Sequence, residues 1–363
     1  MKWAVQKLEE IVSIKTGKLD SNAAVPNGQY PFFTCDPQTL AINTYAYDTE
    51  AVLLAGNNAS GNYTAKYYHG KFNAYQRTYI IESIDKGKLD IHYFLYALNE
   101  QLALLKSISS GSTTKFLTMS MLKPLSVPCP TISVQRRIAS ILSAYDDLIE
   151  NNRRQIKLLE EAAQRLYREW FVELRFPGHE GVKVVDGVPE GWMKVCLKDI
   201  CETKTGKKDA NFGCDDGAYP FFTCAQAPIK APSYSFDCSA VILAGNGDFN
   251  VKLYRGKFEA YQRTYVLSPA NTEYLFLLYN AVSRNMNVLT KGASGSTIKF
   301  LTKGMIDSIE LLIPSSQLLT TYNQNSEALQ KSIEALHRKV ALAVEARDRL
   351  LPKLMNHEME VML

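Results

Sequence analysis

The hexapeptide YPFFTC occurs at residues 30–35 and again at residues 219–224, 189 positions later. The match extends in both directions. Upstream, KTGKLDSN (15–22) meets KTGKKDAN (204–211), and Trp3, Leu8 and Ile11 meet Trp192, Leu197 and Ile200 at the same offset. Downstream, AVLLAGN (51–57) meets AVILAGN (240–246). The register then slips by three, and GKFNAYQRTY (70–79) meets GKFEAYQRTY (256–265) at nine of ten positions. Finally SGSTTKFLT (110–118) meets SGSTIKFLT (294–302). Residues 1–131 and 190–313 are therefore two copies of one unit, and any fold must contain it twice. A repeat this long is a duplicated domain, not a solenoid, whose period is some tens of residues.

The copies are separated and followed by a different texture. From Val134 to Phe171 there is no Gly or Pro, and Ser133 stands in front as an N-cap candidate. Steps of four and three pick out Ile138, Leu142, Tyr145, Ile149, Asn152, Ile156, Leu159, Ala163, Leu166 and Trp170. That is a heptad seam, sustained over a rod of roughly 55 Å at about 1.5 Å per residue. One narrow seam on so long a helix needs a partner. The C-terminal segment offers one through Tyr322, Ser326, Leu329, Ile333, Leu336, Val340 and Ala343, with Pro352 expected to end or kink it. Asn152 and Ser326 are polar seam positions, which either fix register or leave the seam locally wet.

The chain thus reads as head (1–131), helical segment (132–180), head (181–313), helical segment (314–363). Two domain-plus-helix units in one chain mimic a homodimer. The expected fold is α+β, with antiparallel helices and a pseudo-twofold arrangement. Within each head, YPFFTC, EAVLLAGN and YQRTYII read as strands, and a helix is expected around 91–106 and 273–290.

Charge and composition narrow the function. Residues 1–131 hold 12 Lys and Arg against 10 Asp and Glu, and residues 181–313 hold 15 against 13. Each head is +2, which permits nucleic-acid binding without demanding it. No apolar run is long enough for a membrane span, and MKWAVQKLEE has no apolar signal core. Seven cysteines without a C-x-x-C pair argue against a disulfide framework or a zinc site and fit a reducing cytoplasm. The five histidines contain no H-x-x-x-H pair. GNNASGN (56–62) has the two glycines of a phosphate loop but Asn where Lys is needed, and AGNGDF does not fit G-x-G-x-x-G. No D-P-P-Y-like run for amino-group methylation is present.

The polar turns carry the candidate contacts. TGKLD and TGKKD offer Gly, Lys and Asp in a loop; SGSTTK and SGSTIK offer hydroxyls, backbone N–H groups and a Lys. These suit phosphate and base contact, and they are also ordinary turn chemistry. The expected DNA-facing residues are Lys18, Asn57, Tyr75, Gln76, Arg77, Ser110, Ser112, Thr113 and Lys115 in the first head. Their counterparts are Lys207, Asn246, Tyr261, Gln262, Arg263, Ser294, Ser296, Thr297 and Lys299. Read as a strand, Gln76 and Arg77 face opposite sides, so only one of them points at DNA.

The motif Q-x-x-I-A-x-I-L-x-x-x-D-x-x-I-E-x-N (135–152), then L-Y-x-x-W-F (166–171) and R-F-P-G (175–178), resembles the central region of specificity subunits of type I restriction–modification systems. A-R-D-R-L-L-P-K-L-M (346–355) resembles their distal region, and SGST-x-K-F-L-T a stretch near the end of their target-recognition domains. The resemblance implies that each head is a target-recognition domain reading one half of a bipartite double-stranded DNA site. It implies that the helices space the halves and dock modification subunits, two of them, with restriction subunits joining through these. S-adenosylmethionine, ATP and Mg²⁺ would sit on those partners and not on this chain, which would be non-catalytic. The two heads are unusually alike for this family, so similar half-sites are expected. The competing readings are a coiled-coil adaptor with protein-binding heads, and a methyltransferase or nuclease fused to a coiled coil.

Overall fold

The computed structural model describes residues 3–111, 114–293 and 299–359. They form two compact units. One comprises the residues up to Asn152 and those from Arg338 onward, and the other runs from Arg153 to His337.

The first head is built on β1 (Val12–Thr16), β2 (Tyr30–Phe33), β3 (Leu40–Ile42), β4 (Tyr47–Ala55), β5 (Ala65–Ala74) and β6 (Thr78–Ser83). They form one sheet in the order β1-β6-β4-β5-β2-β3, antiparallel throughout except between β2 and β5. Side chains alternate across the pleat. Val52 and Leu54 therefore enter the main core, whereas Ala51 and Leu53 join a second cluster with Phe33, Phe72 and Ile80 on the opposite face. The main core is closed by α1 (Ile91–Asn99), which buries Tyr93, Phe94 and Leu98 and is capped by the Asp90 side chain, a carboxylate accepting from Tyr93 N–H. The single helix expected over 91–106 is broken. The Gln101 N–H bonds to Leu98 O, tightening the turn, and α2 restarts at Leu102 and runs to Ile108. That break buries Leu105 and leaves Leu104 exposed.

The second head repeats the design. Strands β7 (Cys201–Thr205), β8 (Tyr219–Phe222), β9 (Ile229–Ala231), β10 (Phe236–Ala244), β11 (Val251–Ala260) and β12 (Thr264–Pro269) pair in the order β7-β12-β10-β11-β8-β9. Here the helix is continuous, α4 (Leu275–Gly292), after a short 3₁₀ turn.

Each head rests on two long helices, α3 (Ile132–Phe171) and α5 (Ser316–Met355), each of 40 residues. In the first unit Ile138 and Leu142 pack with Leu354 and Met355 into the core of the head. Further along, Arg347 Nη1 donates to Asp146 Oδ1 at 2.7 Å and Tyr96 Oη to Asp146 Oδ2 at 2.7 Å, so the helices run antiparallel. In the second unit Tyr167, Trp170 and Phe171 pack with Tyr322, and Arg255 makes a two-pronged ion pair with Glu327. The positions of the heptad pattern differ in burial from their neighbours on the helices. Ile138, Leu142, Ile149, Asn152, Ile156, Ile333 and Leu336 are buried, and Tyr145, Leu159, Leu166, Leu329 and Val340 are half-buried. Off the seam, Leu148, Leu158 and Leu342 are 46%, 59% and 66% exposed.

Two helix ends differ from expectation. Helix α3 begins at Ile132, so Thr131 and not Ser133 stands at the cap, with its carbonyl accepting from Gln135 N–H. Helix α5 continues through Pro352 to Met355, three residues beyond the proline, although Pro352 has no N–H to donate to the carbonyl of Asp348. The stop comes at His357, whose φ of +57° lets Glu358 N–H reach Lys353 O.

Candidate nucleic-acid interface

The stretch from Tyr75 to Arg77 is not a strand. Strand β5 and strand β6 lie on either side of β4, so the chain between them must arch across the end of β4. The arch is a turn in which Thr78 N–H donates to Tyr75 O at 2.8 Å. Sequence composition alone misassigns it, because Tyr and Thr flank the turn and raise β-propensity. The expected opposite facing of Gln76 and Arg77 therefore does not hold, and both side chains are exposed.

Backbone bonds fasten this turn on every side. Tyr75 N–H donates to Phe33 O, Gln76 N–H to Leu19 O, and Gly56 N–H to Arg77 O. The Cys35 thiol also lies 3.5 Å from Arg77 O. The fit requires glycine at two points. A Cβ at Gly17 would sit 2.2 Å from Ala74 O, and one at Gly56 would sit 2.3 Å from Arg77 O. The side chain of Gln76 is held as well, its Nε2 donating to Asp20 Oδ1 at 2.8 Å. Arg77 makes no side-chain hydrogen bond or ion pair with any described residue.

The third strand of chain at this end of the sheet comes from the C-terminal part of the head. Leu117 N–H donates to Gly56 O, and Asn57 and Asn58 pair with Phe116 and Lys115. Ser110 exchanges backbone hydrogen bonds with Phe116. Between these segments lies a cleft of about 280 Å³ lined by Thr16, Gly56, Gln76, Arg77, Tyr79 and Leu117. Tyr79 forms its wall. Its hydroxyl donates to Leu117 O, and burial holds its pKa above the ordinary value despite the nearby Arg77.

The second head reproduces this construction. Gln262 Nε2 donates to Asp209 Oδ1 at 2.7 Å, Gln262 N–H to Lys208 O, and Gly245 N–H to Arg263 O. A Cβ at Gly245 would lie 2.4 Å from Arg263 O. Its cleft, about 320 Å³, is lined by Gly245, Gln262, Arg263, Tyr265, Phe300 and Leu301. Arg263 is exposed and likewise makes no side-chain bond to any described residue. Burial raises the Tyr265 pKa, and its hydroxyl donates to Leu301 O.

Of the expected contact residues, Gln76, Arg77, Gln262 and Arg263 line the clefts. Lys18, Asn57, Tyr75, Ser110 and Lys115 lie on the segments that build the first one, as do Lys207, Asn246, Tyr261 and Lys299 for the second, without lining it. Ser112, Thr113, Ser294, Ser296 and Thr297 lie outside the described residues. The residues not anticipated as partners are Asp20 and Asp209; their identity in both copies was visible, but nothing in the sequence links them to Gln76 and Gln262. Among the described residues no group of three or more His, Cys, Asp or Glu is placed to hold a metal ion, and no helix is long and apolar enough to cross a membrane.

The family model for the type I restriction modification DNA specificity domain matches residues 1–161 and again residues 189–345. The chain belongs to this family. Among its relatives is the type I restriction enzyme EcoDI specificity subunit of Escherichia coli, 42% identical over 150 residues. That match covers 41% of this chain and 33% of the relative. The MjaIX specificity subunit of Methanocaldococcus jannaschii is 25% identical over 296 residues, covering 74% of this chain and 68% of the relative. A putative type I specificity subunit of Mycoplasma pneumoniae is 24% identical, with 97% of this chain and 96% of the relative covered. In fold the chain is similar to the S subunit of a type I restriction–modification system from M. genitalium. That comparison has a TM-score of 0.66 at 17% identity and covers 100% of this chain and 97% of the other.

Proposed function

We propose that this chain is the DNA-reading subunit of a type I restriction–modification complex, each head selecting one half of a two-part site on double-stranded DNA. The observation that carries the reading is the duplicated cleft in a family of DNA specificity domains: in both heads an exposed arginine without a side-chain bond to any described residue stands on a turn fastened by its backbone. Arginine suits guanine, whose O6 and N7 accept a two-pronged contact in the major groove, and it suits phosphate equally. Lys18, Lys115, Lys207 and Lys299 stand near the clefts as candidate phosphate contacts that fix register without reading sequence.

We assign the chain no catalytic step. Modification subunits, two per complex, would dock on α3 and α5 and carry S-adenosylmethionine; restriction subunits joining through them would carry ATP and Mg²⁺. The complex would work in the cytoplasm. With only +2 on each head, the isolated chain is expected to hold DNA weakly, and the partners to supply most of the affinity. Gel shifts with and without the modification subunit test this. Sequence-dependent retardation should appear with the partner and fall steeply as salt rises. Tight, sequence-selective binding by the chain alone would contradict the division of labour, and no selectivity in either form would contradict the function.

A further inference from the structure

Two side chains compete for the role of base reader in each cleft, the glutamine and the arginine, and the geometry treats them differently. The Gln76 amide is occupied: it donates to Asp20 at 2.8 Å while its own backbone N–H donates to the neighbouring Leu19 O. The pair therefore ties the loop after β1 to the turn between β5 and β6 at two adjacent points. Arg77 is held only through its carbonyl, which accepts from Gly56 N–H. Its guanidinium stays exposed at the cleft. The second head shows the same three features at Gln262, Asp209 and Arg263. Recurrence in two copies whose surrounding loops have diverged argues that the arrangement is selected as a unit.

From this we infer a division of labour, resting on the DNA-reading function proposed above. Asp20–Gln76 and Asp209–Gln262 are positioning clamps, and Arg77 and Arg263 are the residues that determine specificity at one base pair of each half-site, a G·C pair read from the major groove. A two-pronged contact of Gln76 with adenine requires its amide to be oriented by the base, and here Asp20 orients it. An arginine loses less on binding when its turn is already fixed, which is what the clamp provides.

The test uses the full chain produced with its modification subunits in cells, with methylated adenines mapped genome-wide, for the wild type and for Arg77→Ala, Gln76→Ala, Asp20→Ala, Asp20→Asn and the Asp20→Ala/Gln76→Ala pair. Arg77→Ala should abolish a guanine preference at one position of one half-site, a change of about tenfold or more in relative use. Gln76→Ala and Asp20→Ala should lower methylation at all sites with base preference unchanged, and the double variant should be no worse than either single one, because both remove one interaction. Asp20→Asn, whose Oδ1 still accepts from the glutamine, should restore most of the activity. Additive losses would show that the two side chains act independently and would contradict the clamp. Two results overturn the assignment: a changed base preference in Gln76→Ala that Asp20→Ala does not share, or an unchanged preference in Arg77→Ala. If the wild-type complex methylates without any sequence pattern, the DNA-reading function itself fails, and the clamp with it.

Discussion

At Gly56 the absence of one carbon decides whether Arg77 can occupy its place. Any Cβ there would stand 2.3 Å from the Arg77 carbonyl and 2.9 Å from the Tyr79 ring. Gly56→Ala is therefore expected to destabilise the first head by roughly 1–3 kcal/mol and to weaken DNA selection at one half-site only. Thermal melting and methylation mapping check both effects; an alanine variant with wild-type melting and selection would show that the turn is not held there. The glycines and the arginine were legible in the repeat, because AGN and YQRT occur in both copies. The clamp was not. Asp20 and Gln76 are 56 residues apart, and only the parallel approach of Leu19 to Tyr75 brings them together. A single sequence carries no record of such a pairing.

Among the elements, the long helices were the most legible and the short turn the least. A seam repeated every seven residues reports burial directly, since a helix exposes its other faces whatever the sequence context. The Tyr75–Arg77 turn has strand-like neighbours on both sides, and what makes it a turn is the strand order, a tertiary fact. The same holds for the break between α1 and α2. One seam residue is open to experiment. Asn152 is 4% exposed, and its Nδ2 has no hydrogen-bond partner among the described residues. Asn152→Leu should stabilise the chain by roughly 1–3 kcal/mol in thermal or denaturant melting, by removing an unsatisfied buried donor. Loss of stability would instead show that the asparagine fixes helix register.

The pairing of β1 with β6 carries a pH signature. Burial by itself would raise the Glu82 pKa, but hydrogen bonds from Lys15 Nζ and Thr49 Oγ1, both at 2.8 Å, outweigh it and hold the carboxylate below its ordinary 4.5. A carboxylate with a lowered folded pKa stabilises the protein above the unfolded value, and that contribution is lost as pH falls below it. The corresponding residue of the second head is Ser268, so this contribution belongs to the first head alone. Melting temperatures of the wild type and Glu82→Gln should diverge near neutral pH and converge on acidification below about pH 4.5. Curves that stay parallel would show that the ion pair contributes nothing.

For the whole molecule the duplication dominates, and it was legible from the first repeated hexapeptide. Both heads carry the same cleft, with Gln, Arg, Tyr and Gly in the same places, while the loops that flank it differ. Residues 57–69 differ from 246–255, and 36–50 from 225–239. The half-sites should therefore share the bases read from the clefts and differ where those loops reach. What no sequence pattern conveyed is which side chains at the clefts are free, because that depends on partners supplied by distant strands. On the proposed function, this chain selects a two-part DNA site, one part per head. Genome-wide mapping of methylated adenines in cells producing the chain with its modification subunits tests it most directly. Methylation should fall within two short, similar motifs at one fixed separation and be absent when the chain is omitted. Methylation that persists without the chain, or that follows one uninterrupted motif or two unrelated ones, would contradict it.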